Sequence, residues 1–313
     1  MSSDPKAHAP SAQSGDRLTR FLIDTAGVRG VHVCLDAAWS RIARDEYPAP
    51  VSAVLGQAAA AAALFAGHVK VEGRLSVQLR GDAALRTLFA ECTAGGTLRG
   101  VAVLADGAEV DAASDLRSLT GEGVLAITVE NPGLREGEPM RYQGLVSLGE
   151  GDLAAALEGY FLQSEQLPTR LLLAADQGKV AGLMLQKLPG DEGDADGWDR
   201  AVALFETLGT DELLATPADA LLHRLFHEDG VRLLAERPLA FACSCSRERV
   251  EGMLSSLGRE EAEAAAADTG GVVEVRCEFC GEIYLFGPKA LQALFAGTDR
   301  ERSDAFPPPD RLQ

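Results

Sequence analysis

Apolar and polar residues alternate along several short segments in the first half of the chain. In the first segment, Leu75, Val77 and Leu79 alternate with Ser76 and Gln78. Similar segments, separated by glycine-containing turns, lie at 88–93, 98–104, 124–130 and 142–148. A period of two is typical of strands with one buried face, and short turns between such strands favour antiparallel pairing. We therefore predict an antiparallel sheet, arranged as a meander.

The stretch from Val51 to Gly67 has no such alternation because it is apolar on every side. It contains six consecutive alanines at 58–63. A helix that is apolar all round is a buried helix, and its small side chains let neighbouring elements approach closely. We predict that this helix lies inside the first domain, covered on both sides. The surrounding charge-free stretch contains two prolines and many alanines, which makes it too weakly apolar for a membrane span.

Periodicity and capping residues predict the remaining elements. Further strands are expected at 31–35, 170–174 and 179–187, and further helices at 37–42, 153–161, 198–208, 217–226, 246–257, 260–267 and 288–295. His32, Cys34 and Cys92 fall on apolar faces, where we interpret them as packing residues.

Two other groups of polar residues invite a catalytic or metal-binding interpretation. Ser164 and Glu165 have no histidine near them in the sequence, so capping of a helix end is the preferred interpretation. His223 and His227 share one helix face, but a zinc-protease helix needs a glutamate between its histidines. This chain has Arg-Leu-Phe there, and we predict no metal role for the pair.

The strongest chemical pattern in the sequence is formed by two close pairs of cysteines. Cys243 and Cys245 are separated by one residue, and Cys277 and Cys280 by two. Zinc prefers four soft ligands in a tetrahedron, which two such pairs can supply. The second pair lies between two strand-like runs, 272–276 and 283–286, as in a zinc knuckle. Two structural disulfides or a thioredoxin-like redox motif are the alternatives.

Composition and charge narrow the class of protein. The chain has 313 residues, of which 46% are hydrophobic and 24% charged, so it can bury a core. Its formal net charge of −18 argues against a nucleic-acid-binding protein. The first residues lack a basic start followed by an apolar run, so we expect a cytoplasmic location, where thiolates favour metal over disulfide. Neither a phosphate-binding loop nor a dinucleotide-binding glycine pattern occurs, and we predict no nucleotide cofactor.

An acidic, glycine-rich loop at 190–197 is the predicted domain boundary. The expected fold class is α+β, with a core domain built around the buried helix. The predicted segments are a flexible tail at 1–16, the core domain at 17–189, a helical linker at 190–241, a small cysteine-containing domain at 242–297 and a second tail at 298–313. We also expect the apolar faces of the linker helices to dock on the small domain or on the sheet of the core domain.

Several stretches resemble the heat shock protein 33 family of redox-regulated chaperones, and the resemblance covers nearly the full length. They are Arg141-Tyr-Gln-Gly144, Tyr160-Phe-Leu-Gln-Ser-Glu-Gln-Leu-Pro-Thr169, Arg224-Leu-Phe-His-Glu228, Cys243-Ser-Cys-Ser-Arg-Glu-Arg249, Cys277-Glu-Phe-Cys-Gly281 and Tyr284-Leu-Phe286. The combination of Cys-x-Cys with Cys-x-x-Cys is the specific part. The N-terminal tail is longer than in the family, and the acidic loop at 190–197 is not a feature of it.

The resemblance implies an ATP-independent holdase that is not an enzyme, with a sheet–helix–sheet first domain. In the reduced state, Cys243, Cys245, Cys277 and Cys280 would bind one zinc ion and the protein would be largely inactive. Oxidation would form the disulfides Cys243–Cys245 and Cys277–Cys280, release zinc and unfold the metastable linker. The oxidised form would dimerise and bind unfolding client proteins, with no nucleic acid or membrane as partner.

Two expectations concern the switch itself, and two rival functions stay open. Arg247, Arg249 and Arg276 lie beside the ligands in sequence, so they are candidates to offset the negative charge of a four-thiolate site. A Cys-x-x-Cys disulfide closes with less distortion than Cys-x-Cys, so Cys277–Cys280 should form first. One rival function is a structural zinc module that binds a protein or nucleic-acid partner, and the other is a thiol–disulfide oxidoreductase that uses Cys277 and Cys280.

Overall fold

The computed structural model describes residues 6–7, 15–44, 46–69, 71–133, 140–148, 151–190, 193–268 and 270–305. The chain divides into two compact units. The larger unit is Ala7–Ala242, and the smaller unit contains Met1–Lys6 and Cys243–Gln313.

The larger unit contains a five-stranded antiparallel sheet, a seven-stranded mixed sheet in which β12 pairs with β6 in the parallel direction, and seven helices among the residues that the structure describes. Its strands are β1 (Lys6–Ala7), β2 (Arg17–Ile23), β3 (Val28–Leu35), β4 (Arg74–Arg80), β5 (Leu85–Thr93), β6 (Thr97–Leu104), β7 (Val124–Asn131), β8 (Met140–Ser147), β9 (Thr169–Ala175), β10 (Val180–Lys187), β11 (Val231–Pro238) and β12 (Ala240–Cys243). Its helices are α1 (Ala37–Ile42), α2 (Ala49–His68), α3 (Leu116–Thr120), α4 (Leu153–Ser164), α5 (Gly197–Phe205), α6 (Thr210–Ala215) and α7 (Ala218–Phe226). Strands β1 and β12 each extend by one residue into the smaller unit.

The strand order corrects one prediction. One sheet has the order β1-β12-β6-β5-β4-β7-β8, and the other has β11-β2-β3-β10-β9. The five predicted alternating strands all form, but they are not a simple meander, because β7 pairs with β4 and not with β6. The connection from β6 to β7 contains α3, whose Leu116 and Leu119 are buried. This connection carries the chain past β5 to the free edge of β4.

Helix α2 lies between the two sheets, as predicted. Every residue from Ala58 to His68 is buried. The helix contacts β5 and β4 of one sheet and β10, β9 and β3 of the other. A Cβ atom at Gly56 would lie 2.7 Å from the Ala175 Cβ, so a glycine is needed where α2 approaches β9. The expectation that this stretch is too weakly apolar for a membrane span is wrong, because α2 is long and apolar enough by length and composition. In the structure, 72% of its most apolar window is buried in the fold, as in the core helix of a globular domain.

Helices α5, α6 and α7 pack their apolar faces on the five-stranded sheet, which is one of the two docking surfaces expected from the sequence. The ring of Phe226 stacks on Phe21 of β2 with 6.4 Å between the ring centroids. The helices and the turn between α5 and α6 contribute these buried residues to the shared core: Ala201, Phe205, Leu208, Leu213, Leu221, Leu222, Leu225 and Phe226. The end of the predicted helical linker is not helical, since residues 231–238 and 240–243 form strands and β11 pairs with β2.

The smaller unit contains α8 (Arg247–Leu257), α9 (Arg259–Asp268), the hairpin β13 (Val273–Arg276) and β14 (Ile283–Phe286), and α10 (Pro288–Ala305). Its core is small and consists of Leu254, Ala262, Ala266, Val273, Tyr284, Phe286, Leu291 and Phe295. The second tail was predicted to begin at residue 298, but helix α10 continues to Ala305. Residues 306–313 of that tail lie outside the described residues.

The predicted N-terminal tail lies mostly outside the described residues, which include 6–7 and 15–16 of it. Asp16 belongs to the folded core, because its carboxylate accepts a hydrogen bond from the Ala38 backbone N–H at 3.0 Å. The folded core therefore includes Asp16, which the sequence prediction had placed in the tail.

Candidate metal centre

Two separate parts of the smaller unit position the four cysteines. Cys243 is the last residue of β12, and Cys245 immediately precedes Ser246, whose side chain caps α8 by accepting a hydrogen bond from the Arg249 N–H. Cys277 and Cys280 lie in the turn between β13 and β14. The sequence prediction of a hairpin at the second pair is confirmed, and so is the helix that begins after the first pair.

The hairpin turn holds the second pair in a fixed geometry. The Cys277 N–H donates to the Glu282 carbonyl at 2.9 Å, and the Gly281 N–H donates to the Cys277 carbonyl at 2.8 Å. Gly281 has a φ of 72°, a left-handed conformation that glycine adopts without steric cost. The turn therefore directs both sulfurs to the same side of the hairpin end.

The four sulfurs form a compact cluster in which all the ligand atoms lie within 4.8 Å of one another. The Cys243 and Cys277 Sγ atoms are 3.6 Å apart, and the Cys245 and Cys280 Sγ atoms are 3.3 Å apart. A tetrahedral zinc site with Zn–S bonds of about 2.3 Å has sulfur–sulfur edges of about 3.8 Å. The four residues therefore fit a zinc ion, and all are free thiols in this structure.

Among the residues that the structure describes, this is the only group of three or more histidine, cysteine or acidic side chains placed to hold a metal ion. His223 and His227 stack with their ring centroids 5.3 Å apart on the exposed face of α7. Cys92 is buried in the sheet, and Cys34 is half-buried on β3, far in sequence from the cluster.

Burial raises the pKa values of the cysteine thiols, and hydrogen bonds from backbone N–H groups lower them. Burial raises the pKa of the Cys243 thiol, and it also raises the pKa of Cys280 to about 11. Burial opposes ionisation of Cys277 too, but the backbone N–H groups of Cys280 and Phe279 donate to its sulfur and outweigh that effect, so the pKa of Cys277 is lowered. A cation placed between the sulfurs would favour the thiolate form of all four.

Tyr284 is a functional candidate that sequence reasoning missed. Its hydroxyl donates a hydrogen bond to the Cys245 Sγ at 3.2 Å. The sequence predicts a strand at 283–286, and in the structure Tyr284 lies in β14 and is 6% exposed. The sequence pattern does not indicate where the phenol hydroxyl lies.

Of the three arginines predicted to compensate the thiolate charge, Arg247 has other described side-chain contacts. The Arg247 guanidinium lies 4.3 Å from the Phe286 ring centroid and pairs with Glu251 at 3.1 Å. The Arg276 Nη2 lies 3.8 Å from the position that a Cβ of Gly281 would take, at the rim of the hairpin turn. Charge compensation by these residues stays a prediction.

Comparisons with known proteins agree with this arrangement. The family model described as Hsp33 protein matches residues 16–287. The chain belongs to the Hsp33 family. A curated relative from Ectopseudomonas mendocina, named 33 kDa chaperonin, is 43% identical over 288 residues, covering 90% of this chain and 96% of the relative. A second 33 kDa chaperonin, from Nitrosococcus oceani, is 43% identical over 281 residues, covering 90% of this chain and 94% of the relative.

The fold is that of a solved member of the Hsp33 family. The crystal structure of the 33 kDa chaperonin (heat shock protein 33 homolog) from Thermotoga maritima matches with a TM-score of 0.73 at 23% identity. The match covers 91% of this chain and 99% of that chain. The family resemblance and the α+β fold class predicted from the sequence are confirmed.

Proposed function

We propose that this protein is a redox-regulated, ATP-independent holdase. It is inactive while Cys243, Cys245, Cys277 and Cys280 hold one zinc ion, and it is activated when oxidation converts them to two disulfides. The observation that carries the proposal is the compact cluster of four sulfurs in a chain of the Hsp33 family. The curated relatives are named chaperonins and not enzymes, which supports a non-catalytic role.

Zinc is the main source of stability that we assign to the smaller unit. Among the described residues its core consists of eight buried side chains, two of them alanines. A core of this size rarely stabilises a domain by more than about 3–5 kcal/mol. Structural zinc contributes roughly 10–16 kcal/mol of binding free energy in comparable peptides. Loss of zinc should therefore unfold the smaller unit completely.

The pairing of the disulfides determines whether oxidation opens the fold. Cross-links between the two motifs, Cys243–Cys277 and Cys245–Cys280, would hold the two halves of the unit together after zinc has left. Disulfides within the motifs, Cys243–Cys245 and Cys277–Cys280, leave the halves free to separate. The proposed switch requires the second pairing, although the shortest described sulfur separations lie between the motifs.

The client-binding surface is assigned to the apolar faces of α5, α6 and α7. These faces are buried on the five-stranded sheet in the structure, and they would be exposed if the linker at 190–241 unfolded. Strands β11 and β12 join these helices to Cys243, so the linker and the first ligand are neighbours in the chain. The released surface binds unfolding proteins, and the oxidised protein acts as a homodimer in the cytoplasm.

The test combines two measurements on reduced, zinc-loaded protein treated with peroxide at elevated temperature. Zinc release is followed with a chromogenic chelator, and suppression of aggregation is followed with a heat-unfolded client. We expect both to rise together and to be reversed by a thiol reductant. Cys34→Ser, which removes a thiol outside the cluster, should behave like the unmodified protein, whereas Cys280→Ser should bind zinc weakly and lose the dependence on oxidant.

Two outcomes would contradict the proposal. If zinc leaves and the client still aggregates, the cysteine cluster is a structural zinc site and the function lies elsewhere. If the protein turns over insulin reduction in the presence of a reductase, it is a thiol–disulfide oxidoreductase.

A further inference from the structure

Each sulfur of the cluster has a hydrogen-bond donor, and the donor to Cys245 is different in kind. Backbone N–H groups donate to three of the sulfurs: that of Cys245 to Cys243, those of Phe279 and Cys280 to Cys277, and that of Glu282 to Cys280. The Cys245 Sγ has the Cys280 thiol beside it at 3.3 Å, and it accepts a hydrogen bond from the Tyr284 hydroxyl at 3.2 Å. This donor belongs to a side chain, so a single substitution can remove it without altering the backbone.

The position of Tyr284 in the hairpin explains why its hydroxyl points to a sulfur. Tyr284 pairs with Val275 across the β13–β14 ladder, and it shares the buried face of β14 with Phe286. Phe286 is 1% exposed and entirely apolar, whereas Tyr284 carries a hydroxyl into a site that is 6% exposed. A buried hydroxyl without a partner is costly, so the packing of this ring requires an acceptor. The Cys245 sulfur is that acceptor.

We propose that Tyr284 is a positioning residue that tunes zinc binding and the oxidation of Cys245 through its hydrogen bond to the Cys245 sulfur. This inference rests on the proposed redox function and adds to it a residue that sets the sensitivity of one half of the switch. A four-thiolate zinc site carries excess negative charge, and hydrogen bonds to the sulfurs disperse it. A thiolate that accepts a hydrogen bond shares its lone pair and attacks peroxide more slowly.

The oxidation step affected by Tyr284 can be written with all atoms and electrons balanced. The Cys245 thiolate attacks the O–O bond of a peroxide, forms an S–O bond and releases hydroxide, which gives a sulfenic acid. The Cys243 thiolate then attacks the Cys245 sulfur, forms the S–S bond and releases a second hydroxide. Two thiolates are oxidised by two electrons in total, and one hydrogen peroxide is reduced. The hydrogen bond from Tyr284 stabilises the thiolate before the first attack and therefore slows that step.

The hydrogen bond also gives the two motifs different sensitivities. Apart from the thiols of the cluster itself, the donors described for the Cys277–Cys280 motif are backbone N–H groups, and these are the same in any variant that keeps the hairpin. The Cys243–Cys245 motif carries the removable donor. Loss of the Tyr284 hydroxyl should therefore change the rate at which the Cys243–Cys245 disulfide forms and leave the rate for Cys277–Cys280 nearly unchanged. General loosening of the smaller unit would change both rates.

The test substitutes Tyr284 by phenylalanine in the full-length, zinc-loaded protein. Tyr284→Phe keeps the ring and removes only the hydroxyl. We expect its zinc affinity, measured by competition with a chelator under reducing conditions, to fall about tenfold, within the range of roughly 10- to 100-fold seen when hydrogen bonds to metal ligands are removed. We expect peroxide to form the Cys243–Cys245 disulfide severalfold faster, as measured by mass spectrometry of alkylated peptides. Tyr142→Phe is the matched control, because it removes a hydroxyl from a residue of β8 that is 58% exposed.

A second variant keeps the test decisive if Tyr284→Phe folds poorly. A fluorinated tyrosine incorporated at position 284 has nearly the same size and is a stronger hydrogen-bond donor, so it should slow formation of the Cys243–Cys245 disulfide. Equal rates for tyrosine, phenylalanine and fluorotyrosine would overturn the proposal. A lower zinc affinity without a selective change in the Cys243–Cys245 rate would overturn it as well, since that result indicates a structural role alone. The zinc affinity and the rate of disulfide formation are measured without a client protein. A protein that fails to suppress client aggregation can therefore still support or contradict the role proposed for Tyr284.

Discussion

The docking of α7 on the five-stranded sheet allows a direct test of the proposed activation step without any oxidant. Phe226 is fully buried, and its ring stacks on Phe21 of β2. Replacing a buried phenylalanine by alanine costs about 3–5 kcal/mol, because apolar contacts are lost and a cavity remains. Each 1.4 kcal/mol or so changes an equilibrium tenfold. Phe226→Ala should therefore raise the population with undocked helices roughly a hundred- to a few thousand-fold.

We expect reduced, zinc-loaded Phe226→Ala to suppress client aggregation without peroxide. The zinc content should stay at one ion per chain, because the substitution lies outside the smaller unit. Limited proteolysis should cleave the segment of α5 to α7 before the rest of the larger unit. These three measurements separate release of the helices from release of the metal.

Phe65→Ala is the matched control, since it removes the same side chain from another part of the same unit. Phe65 is 1% exposed in α2, and its ring makes an edge contact with Phe161 at 4.9 Å. This substitution should lower the free energy of unfolding by a similar amount without selectively releasing the linker helices. If Phe226→Ala becomes protease-sensitive at α5 to α7 but stays inactive until oxidised, undocking of these helices is not the activating step. Equal activity in both variants would mean that general destabilisation suffices.

Three further predictions follow from other parts of the structure. Burial lowers the pKa of His32 to about 4 and that of His68 to about 3. The stability that comes from keeping these histidines neutral is therefore complete above the unfolded-state pKa near 6.5, and it falls by about 1.4 kcal/mol per pH unit per histidine as the pH drops towards 4. Denaturant midpoints measured against pH should show this slope, and His32→Gln should remove the contribution of one histidine. Gly30→Ala should destabilise the larger unit by about 1–3 kcal/mol, because its Cβ would lie 2.1 Å from the Phe21 ring. Gly159→Ala in α4 should stabilise it by about 0.5–1 kcal/mol, because nothing beyond the neighbouring helix backbone lies within 4 Å of the added Cβ. Thermal unfolding of both variants checks the contrast. Chelation of zinc under reducing conditions should abolish the helical circular dichroism of the smaller unit, and unchanged spectra would contradict the assignment of its stability to the metal.

The elements that were predictable from the sequence are those whose side-chain pattern has one physical cause. The alternation around Val77 indicates one buried face, and the run of alanines in α2 indicates a helix covered on both sides. The spacing of the four cysteines was sufficient to predict a cluster, because two short motifs need only be brought together once. In each case the prediction depends on local sequence and on burial, and not on which element is the neighbour.

The predictions that failed depend on partners that lie far apart in sequence. Alternation shows that residues 124–130 form a strand, but it does not show that this strand pairs with β4 and not with β6. The hydroxyl of Tyr284 was missed for the same reason, since its acceptor lies 39 residues away. Strand β11 was missed because most of its residues are exposed, so neither face carries an apolar pattern. An edge strand without a buried face has no periodic pattern from which it can be recognised.

This exposure of β11 has a consequence for how the linker is released. Leu233 and Leu234 are 49% and 43% exposed, so the strand gains little from burial of its apolar side chains. It is held to β2 by backbone hydrogen bonds along one edge, with a bulge between Leu233 and Ala235. The ion pair of Arg232 with Asp24 lies at the surface, and such pairs contribute little to stability. We therefore expect β11 to detach before β2 and β3 separate. Backbone amides of β11 should exchange with deuterium much faster than those of β3 in the reduced protein, and equal protection of the two strands would show that the linker is held more firmly than its burial indicates.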